Sequence, residues 1–113
     1  MATPFDPSPL TPAQQKQVDD RAAATAAIAA VTADIEDTKI QLSELYDAWF
    51  ALSQPLPAQP PTDPKIPDRN HVAALWYSTH TQLEKLLEYR GALLGWRIGI
   101  GQPNHPPMPT LSI

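Results

Sequence analysis

The residues of this chain whose side chains could do chemistry are few, and their spacing matches no common site. Histidines stand at positions 71, 80 and 105, and no two of them have the four-residue separation that a helical zinc site uses. The acidic residues Asp34, Glu36 and Asp37 cluster without a second acidic cluster and without the spacing of a calcium loop. This cluster is typical of a solvated helix face.

Motifs for covalent and phosphoryl chemistry are also missing from the sequence. There is no cysteine, no Gly-x-Ser-x-Gly elbow, no phosphate-binding loop and no glycine-rich dinucleotide turn. The sequence therefore predicts a non-enzymatic protein with no catalytic residue, no cofactor and no metal. The alternative of a small enzyme or sensor predicts stabilisation by a ligand or a metal.

Composition and charge exclude further classes. The net charge is -4 and the eight Lys and Arg residues do not cluster, whereas a nucleic-acid binder needs a basic face. The N-terminus has neither a basic start nor an apolar run, so we expect no signal peptide. No stretch supplies the ~20 apolar residues of a membrane span. We expect protein partners, without nucleic acid or membrane.

The prolines divide the chain, because proline removes a backbone donor and clashes with the preceding helical turn. All fourteen fall into three groups, at 4–12, 55–67 and 103–109. Long helices are possible only between the groups. The sequence predicts an extended N-terminal arm (1–11), helix 1 (12–52), a proline-rich connector (53–67), helix 2 (68–99) and an extended C-terminal arm (100–113), all in one domain.

Local signals mark where the two helices begin. Thr11 can cap helix 1, Pro12 suits the first helical position, and Gln14 completes a capping box. Helix 2 follows Pro67, with Asp68 or Asn70 as its cap.

Both helices carry apolar residues at steps of three and four, which predicts an all-α, coiled-coil-like antiparallel hairpin. Only Thr38 interrupts the seam of helix 1. The predicted helix–helix interface consists of Ile28, Val31, Ile35, Leu42, Leu45, Trp49, Leu52, Val72, Trp76, Leu83, Leu86, Gly91, Leu93 and Gly95. Helix 2 has the wider apolar face, which one partner helix would not cover.

Glycines recur at four-residue spacing in helix 2, at positions 91, 95 and 99. If Leu52 is paired with Val72, these glycines lie opposite Ala33, Ala29 and Thr25, which predicts close backbone packing near the tails. The glycines could instead fray the end of the helix. The long connector also permits helix 2 to pack on helix 1 of another chain. The same register places Arg90 opposite Asp34 and predicts an ion pair between them.

The proline-rich segments are candidate binding elements. The connector has P-x-x-P spacings that suit an aromatic groove, although a stiff connector explains the same prolines. The end, residues 110–113, alternates apolar and polar residues and could add a strand to a partner sheet, or fray. The candidates for partner binding are Phe5, Leu10, Leu56, Ile66, Met108, Leu111 and Ile113.

The small core favours a role in an assembly. A hairpin buries one seam, and small cores without disulfides or metals are usually completed by association. Surplus apolar side chains off the seam need cover as well; they are Ile40, Phe50, Tyr77, Tyr89 and Trp96. We expect a structural subunit in a homo-oligomeric or heteromeric complex. A soluble adaptor or chaperone is the alternative.

The layout of an alanine-rich helix pair with extended apolar, proline-rich arms resembles the small accessory proteins of tailed bacteriophage virions. The resemblance covers the whole chain in style and carries over no individual residue. It implies a neck, baseplate, fibre or capsid accessory protein, in a virion or a cytoplasmic assembly. The two-helix, cysteine-free format also resembles secreted WXG-type effectors, but Trp49-Phe50-Ala51 and Trp96-Arg97-Ile98 lack the Trp-x-Gly turn.

Overall fold

The computed structural model describes residues 9–53 and 65–112, without the side chains of 65–67. Two helices, α1 (Pro12–Leu52) and α2 (Lys65–Ile98), pack against each other as an antiparallel hairpin. The described residues form no strand. The predicted all-α helical hairpin is therefore confirmed.

Helix α1 begins at a complete capping box. The Thr11 hydroxyl accepts a hydrogen bond from the Gln14 backbone N–H at 3.2 Å, and the Gln14 side-chain carbonyl accepts from the Thr11 N–H at 3.0 Å. Pro12 occupies the first helical position, where an N–H has no helical partner to lose. The 41 residues of α1 have the predicted bounds. At ~1.5 Å per residue, α1 is about 60 Å long.

Helix α2 begins at Lys65, three residues before the predicted start at 68, and ends at Ile98 rather than 99. Pro67 is its third residue. The first four N–H groups of a helix have no intrahelical acceptor, so a proline there removes no hydrogen bond. Asp68 in the first turn places a negative charge at the positive end of the helix dipole.

The core lies in the tail half of the hairpin. Val31 and Ile35 of α1 pack with Leu86 and Leu93 of α2, and all four side chains are almost completely buried. Val31 and Leu93 are opposite each other in the predicted register, and the structure places them in one cluster. Thr38 is buried too, and its hydroxyl donates to the Asp34 carbonyl one turn earlier, at 2.7 Å. Its polar atom is thus satisfied within α1.

Candidate binding surface

An open groove lies between the helices towards the connector end of the hairpin. Tyr46 and Trp49 of α1 line one wall, and Ala73, Trp76 and Tyr77 of α2 line the other. Its volume is about 390 Å³, and the surface of its lining is mostly apolar. It is therefore an aromatic groove that both helices build.

The groove's aromatic side chains stay accessible although the helices are packed. Tyr46 is 54% exposed and Tyr77 is 69% exposed. Next to them Phe50, also 54% exposed, stacks on Tyr46 with 6.4 Å between ring centroids. Large apolar side chains cluster in this way on surfaces that bind other proteins.

Ring–ring contacts order the walls of the groove. Trp76 packs edge-on against Tyr77 with centroids 5.2 Å apart, and the His80 ring stacks on Trp76 at 5.1 Å. The Nδ1 atom of His80 lies 3.2 Å from a Glu84 carboxylate oxygen. These contacts hold the aromatic faces in defined orientations before any partner binds, which lowers the entropic cost of binding.

Tyr46 is a groove residue that sequence reasoning did not single out. It lies three residues before Trp49 and four before Phe50, so all three aromatic rings share one side of α1. The seam pattern included Trp49 alone. A search for aromatic residues at this spacing would have found the cluster.

The predicted interface residues occupy different environments in the structure. Four of the predicted residues form the buried core cluster, namely Val31, Ile35, Leu86 and Leu93. Ile28 and Leu83 pack against this cluster. Towards the connector Leu42, Leu45, Leu52, Val72 and Trp76 are half-buried. Trp49 is 36% exposed and faces the groove with Trp76. The connector half of the seam is thus less well covered than the tail half.

The predicted packing of the glycine face against the alanine face is wrong. Gly91 and Gly95 are exposed, and a Cβ atom at either position would meet nothing within 4 Å. A Cβ at Gly99 would lie 3.2 Å from Nδ1 of His105, in the C-terminal arm, rather than next to α1. The predicted register considers only the position of each residue along the helices. Gly91 and Gly95 do not lie on the side of α2 that faces α1.

We expect Gly95→Ala to stabilise the hairpin by up to ~1 kcal/mol, because alanine is the better helix former and the added methyl has open space. Gly101→Ala should destabilise it, since Gly101 has φ +93° and its Cβ would lie 3.3 Å from the Gln17 side chain. Urea unfolding of dilute protein measures both changes. Destabilisation by Gly95→Ala would mean that a neighbour packs closely there.

The predicted ion pair between Arg90 and Asp34 is wrong as well. In the part of the chain that the structure describes, the ion pairs are Lys16–Asp20 and Glu36–Lys39, and neither involves Arg90 or Asp34. Asp34 is exposed and precedes the buried Ile35 by one residue, about 100° around the helix. Arg90 is half-buried, and its Nε has no hydrogen-bond partner among the described residues. The two side chains lie on different sides of the seam.

The C-terminal arm packs on the hairpin of its own chain. After the turn at Gly101, the Trp96 indole N–H donates to the Pro106 carbonyl at 2.8 Å, and the His105 ring lies 4.9 Å from the Trp96 ring. Met108 then packs against the core. Trp96, predicted to be surplus apolar surface, is only 8% exposed because the arm covers it.

The candidates for partner binding therefore fall into separate groups. Met108 is half-buried and packs against the protein's own core cluster. Leu111 lines one shallow groove with Lys85 and Tyr89 and another with Asp34, and remains 37% exposed. Leu10 is 49% exposed. Phe5, Leu56 and Ile113, and the side chain of Ile66, lie outside the described residues.

Within 9–53 and 65–112, His, Asp and Glu side chains nowhere gather in a group of three that could hold a metal ion. Neither described helix is both long enough and apolar enough to cross a membrane.

Comparison with protein-family models, with curated proteins and with solved structures finds no match to this chain.

Proposed function

We propose that the chain is a non-enzymatic structural subunit that binds neighbouring protein subunits through its helix faces. The aromatic groove at the connector end carries this proposal. Its tryptophan and tyrosine side chains are the types that dominate the binding energy of protein interfaces. They are held in place and left open between the two helices.

The size of the core supports the same proposal. In the described part of the chain, six apolar side chains are buried, and one of them, Trp96, depends on the arm for its cover. Such a core leaves a small domain marginally stable, and association is the usual compensation where disulfides are absent. Covering the exposed aromatic side chains would add apolar burial that the single chain lacks.

The proposed class of assembly is the virion of a tailed bacteriophage, as a neck, baseplate, fibre or capsid accessory protein, or its cytoplasmic assembly intermediate. The support is the layout of a helical hairpin between proline-rich segments. Because the C-terminal arm packs on its own hairpin, we expect most of the contact with neighbours to lie on the helix faces.

Light scattering after size-exclusion chromatography, over a hundredfold range of concentration, tests the proposal. We expect association that increases with concentration, and a shift towards monomer in Tyr46→Asp, which places a charge in the groove. Val18→Asp makes the same kind of change at a similarly exposed side chain outside the groove and should associate like the parent. A monomer that melts cooperatively at every concentration would contradict the proposal and favour a soluble adaptor or chaperone.

A further inference from the structure

A second stripe of residues runs along the outside of α2. We define this outer stripe as Tyr77, His80, Glu84, Leu87, Gly91, Leu94 and Ile98, which follow one another at alternating steps of three and four. Glu84, Leu87 and Leu94 follow by one residue the core side chains Leu83, Leu86 and Leu93, so the outer stripe lies about 100° around α2 from the side that packs on α1. A sustained three-four spacing is the pattern of a helix–helix contact.

Five of the seven residues of the outer stripe are exposed in the part of the chain that the structure describes, and His80 and Leu94 are half-buried. Ile98 and Tyr77, at its two ends, are 79% and 69% exposed, and Leu87 in the middle is 45% exposed. A Cβ on Gly91 would meet nothing within 4 Å. The C-terminal arm packs along Lys85, Glu88, Tyr89 and Ala92 instead.

We propose that the outer stripe is the contact with a second copy of this chain, packed antiparallel about a two-fold axis near Leu87. This rests on the proposed function and names the partner. Tyr77 and Ile98 lie 21 residues apart, with Leu87 near the midpoint. The axis therefore places Ile98 of each copy on Tyr77 of the other, next to the aromatic groove.

The polar and small members of the stripe decide the direction of pairing. In a parallel pair Glu84 of one copy would face Glu84 of the other, which places like charges next to each other. Gly91 would likewise face Gly91, which leaves a gap in the contact. In the antiparallel pair Glu84 of one copy faces Gly91 of the other, so the long side chain lies where the glycine leaves room. Its carboxylate already has a partner in His80, 3.2 Å away on the same helix.

The exposed apolar area is close to what a stable dimer needs. Six large side chains on the stripe and around the groove are 36% to 79% exposed: Tyr46, Trp49, Phe50, Tyr77, Leu87 and Ile98. At ~200 Å² for a large side chain they expose about 600 Å², against about 800 Å² buried per partner in a standard interface. Neighbouring helix surface supplies the remainder.

Cysteine cross-linking tests the geometry, because the chain has no cysteine of its own. Leu87→Cys should form a covalent dimer rapidly on mild oxidation, as the two thiols meet across the axis. Tyr77→Cys mixed with Ile98→Cys should give a mixed dimer, while Tyr77→Cys alone should stay monomeric on the gel. Ser78→Cys, exposed on α2 but off the stripe, is the matched control.

Self-linking of Tyr77→Cys would overturn the antiparallel arrangement. Linking of Ser78→Cys as fast as Leu87→Cys would indicate random collision and overturn the stripe as the contact. If the parent associates by light scattering but no stripe variant cross-links, this inference fails while the proposed function stands. If the parent stays monomeric, this inference fails, and the proposed function fails with it where that monomer melts cooperatively. Circular dichroism of each variant establishes that the hairpin is still folded.

Substitution gives an independent measure of the same contact. Ile98→Asp should weaken self-association at least tenfold with helix content unchanged, because the side chain is 79% exposed in the single chain. Val18→Asp, at a 51% exposed side chain of α1 outside the stripe and the groove, should leave the dissociation constant within about twofold. Unchanged association of Ile98→Asp would overturn the outer stripe as the contact between copies.

Discussion

Leu93→Ala is expected to destabilise the hairpin by about 2–5 kcal/mol, the range for removing a fully buried leucine. Leu93 is 0% exposed and packs with Val31, Ile35 and Leu86, so the lost methyl groups leave a cavity between the helices. A domain of this size typically has ~5–15 kcal/mol of stability in total. Urea unfolding followed by circular dichroism at 222 nm measures the change.

Two further variants make the Leu93 result interpretable. Leu93→Met nearly conserves volume and should cost less than ~1.5 kcal/mol, which keeps the measurement possible if the alanine variant does not fold. Leu10→Ala, at a 49% exposed position outside the core, should change the stability by no more than ~0.5 kcal/mol. An alanine variant at Leu93 that unfolds at the same urea concentration as Leu10→Ala would contradict the described core.

Trp96→Ala should release the C-terminal arm and destabilise the chain by about 3–5 kcal/mol. The change removes a buried indole, its hydrogen bond to the Pro106 carbonyl at 2.8 Å and the ring beside His105. The methyl resonance of Met108 reports on the arm, because Met108 packs against the core and the chain has only one other methionine. We expect this resonance to move to its random-coil position.

Two control variants distinguish release of the C-terminal arm from general destabilisation of the hairpin. Trp49→Ala deletes an indole that is 36% exposed and away from the arm, so the Met108 methyl should keep its native shift. Trp96→Phe keeps a ring but loses the N–H donor, and should cost ~1 kcal/mol with the arm still bound. A native Met108 shift in folded Trp96→Ala would rule out Trp96 as the anchor of the arm.

The sequence predicts the helices well because prolines and caps act locally. Proline is disfavoured in the interior of a helix whatever the tertiary structure. The capping box joins Thr11 and Gln14, which are only three residues apart in the sequence. The start of α2 was missed by three residues because a proline in the first turn removes no helical hydrogen bond.

The side-chain pairings were less predictable because a register does not specify a face. An error of one residue leaves the pairing along the seam almost unchanged but turns a side chain by about 100°. Arg90 and Asp34 show this, as do the glycines that face solvent rather than α1.

The folded-back arm needed two observations to be combined. The sequence predicts Trp96 to be an apolar residue without cover, and the C-terminal arm (100–113) to be an apolar, proline-rich segment that binds a partner. Each covers the other in the structure. A buried indole N–H needs an acceptor, and a proline-rich segment offers carbonyl groups that have no helical partner. That complementarity was readable from the sequence.

The short turn between Ile98 and the arm has a consequence for competition. Only a few residues around Gly101 separate the end of α2 from the Trp96–Pro106 hydrogen bond. Such a short tether keeps the arm at an effective concentration in the millimolar range. A free peptide with the sequence of residues 102–112 would have to reach that concentration to displace the arm. At lower concentrations the arm of the same chain therefore stays bound.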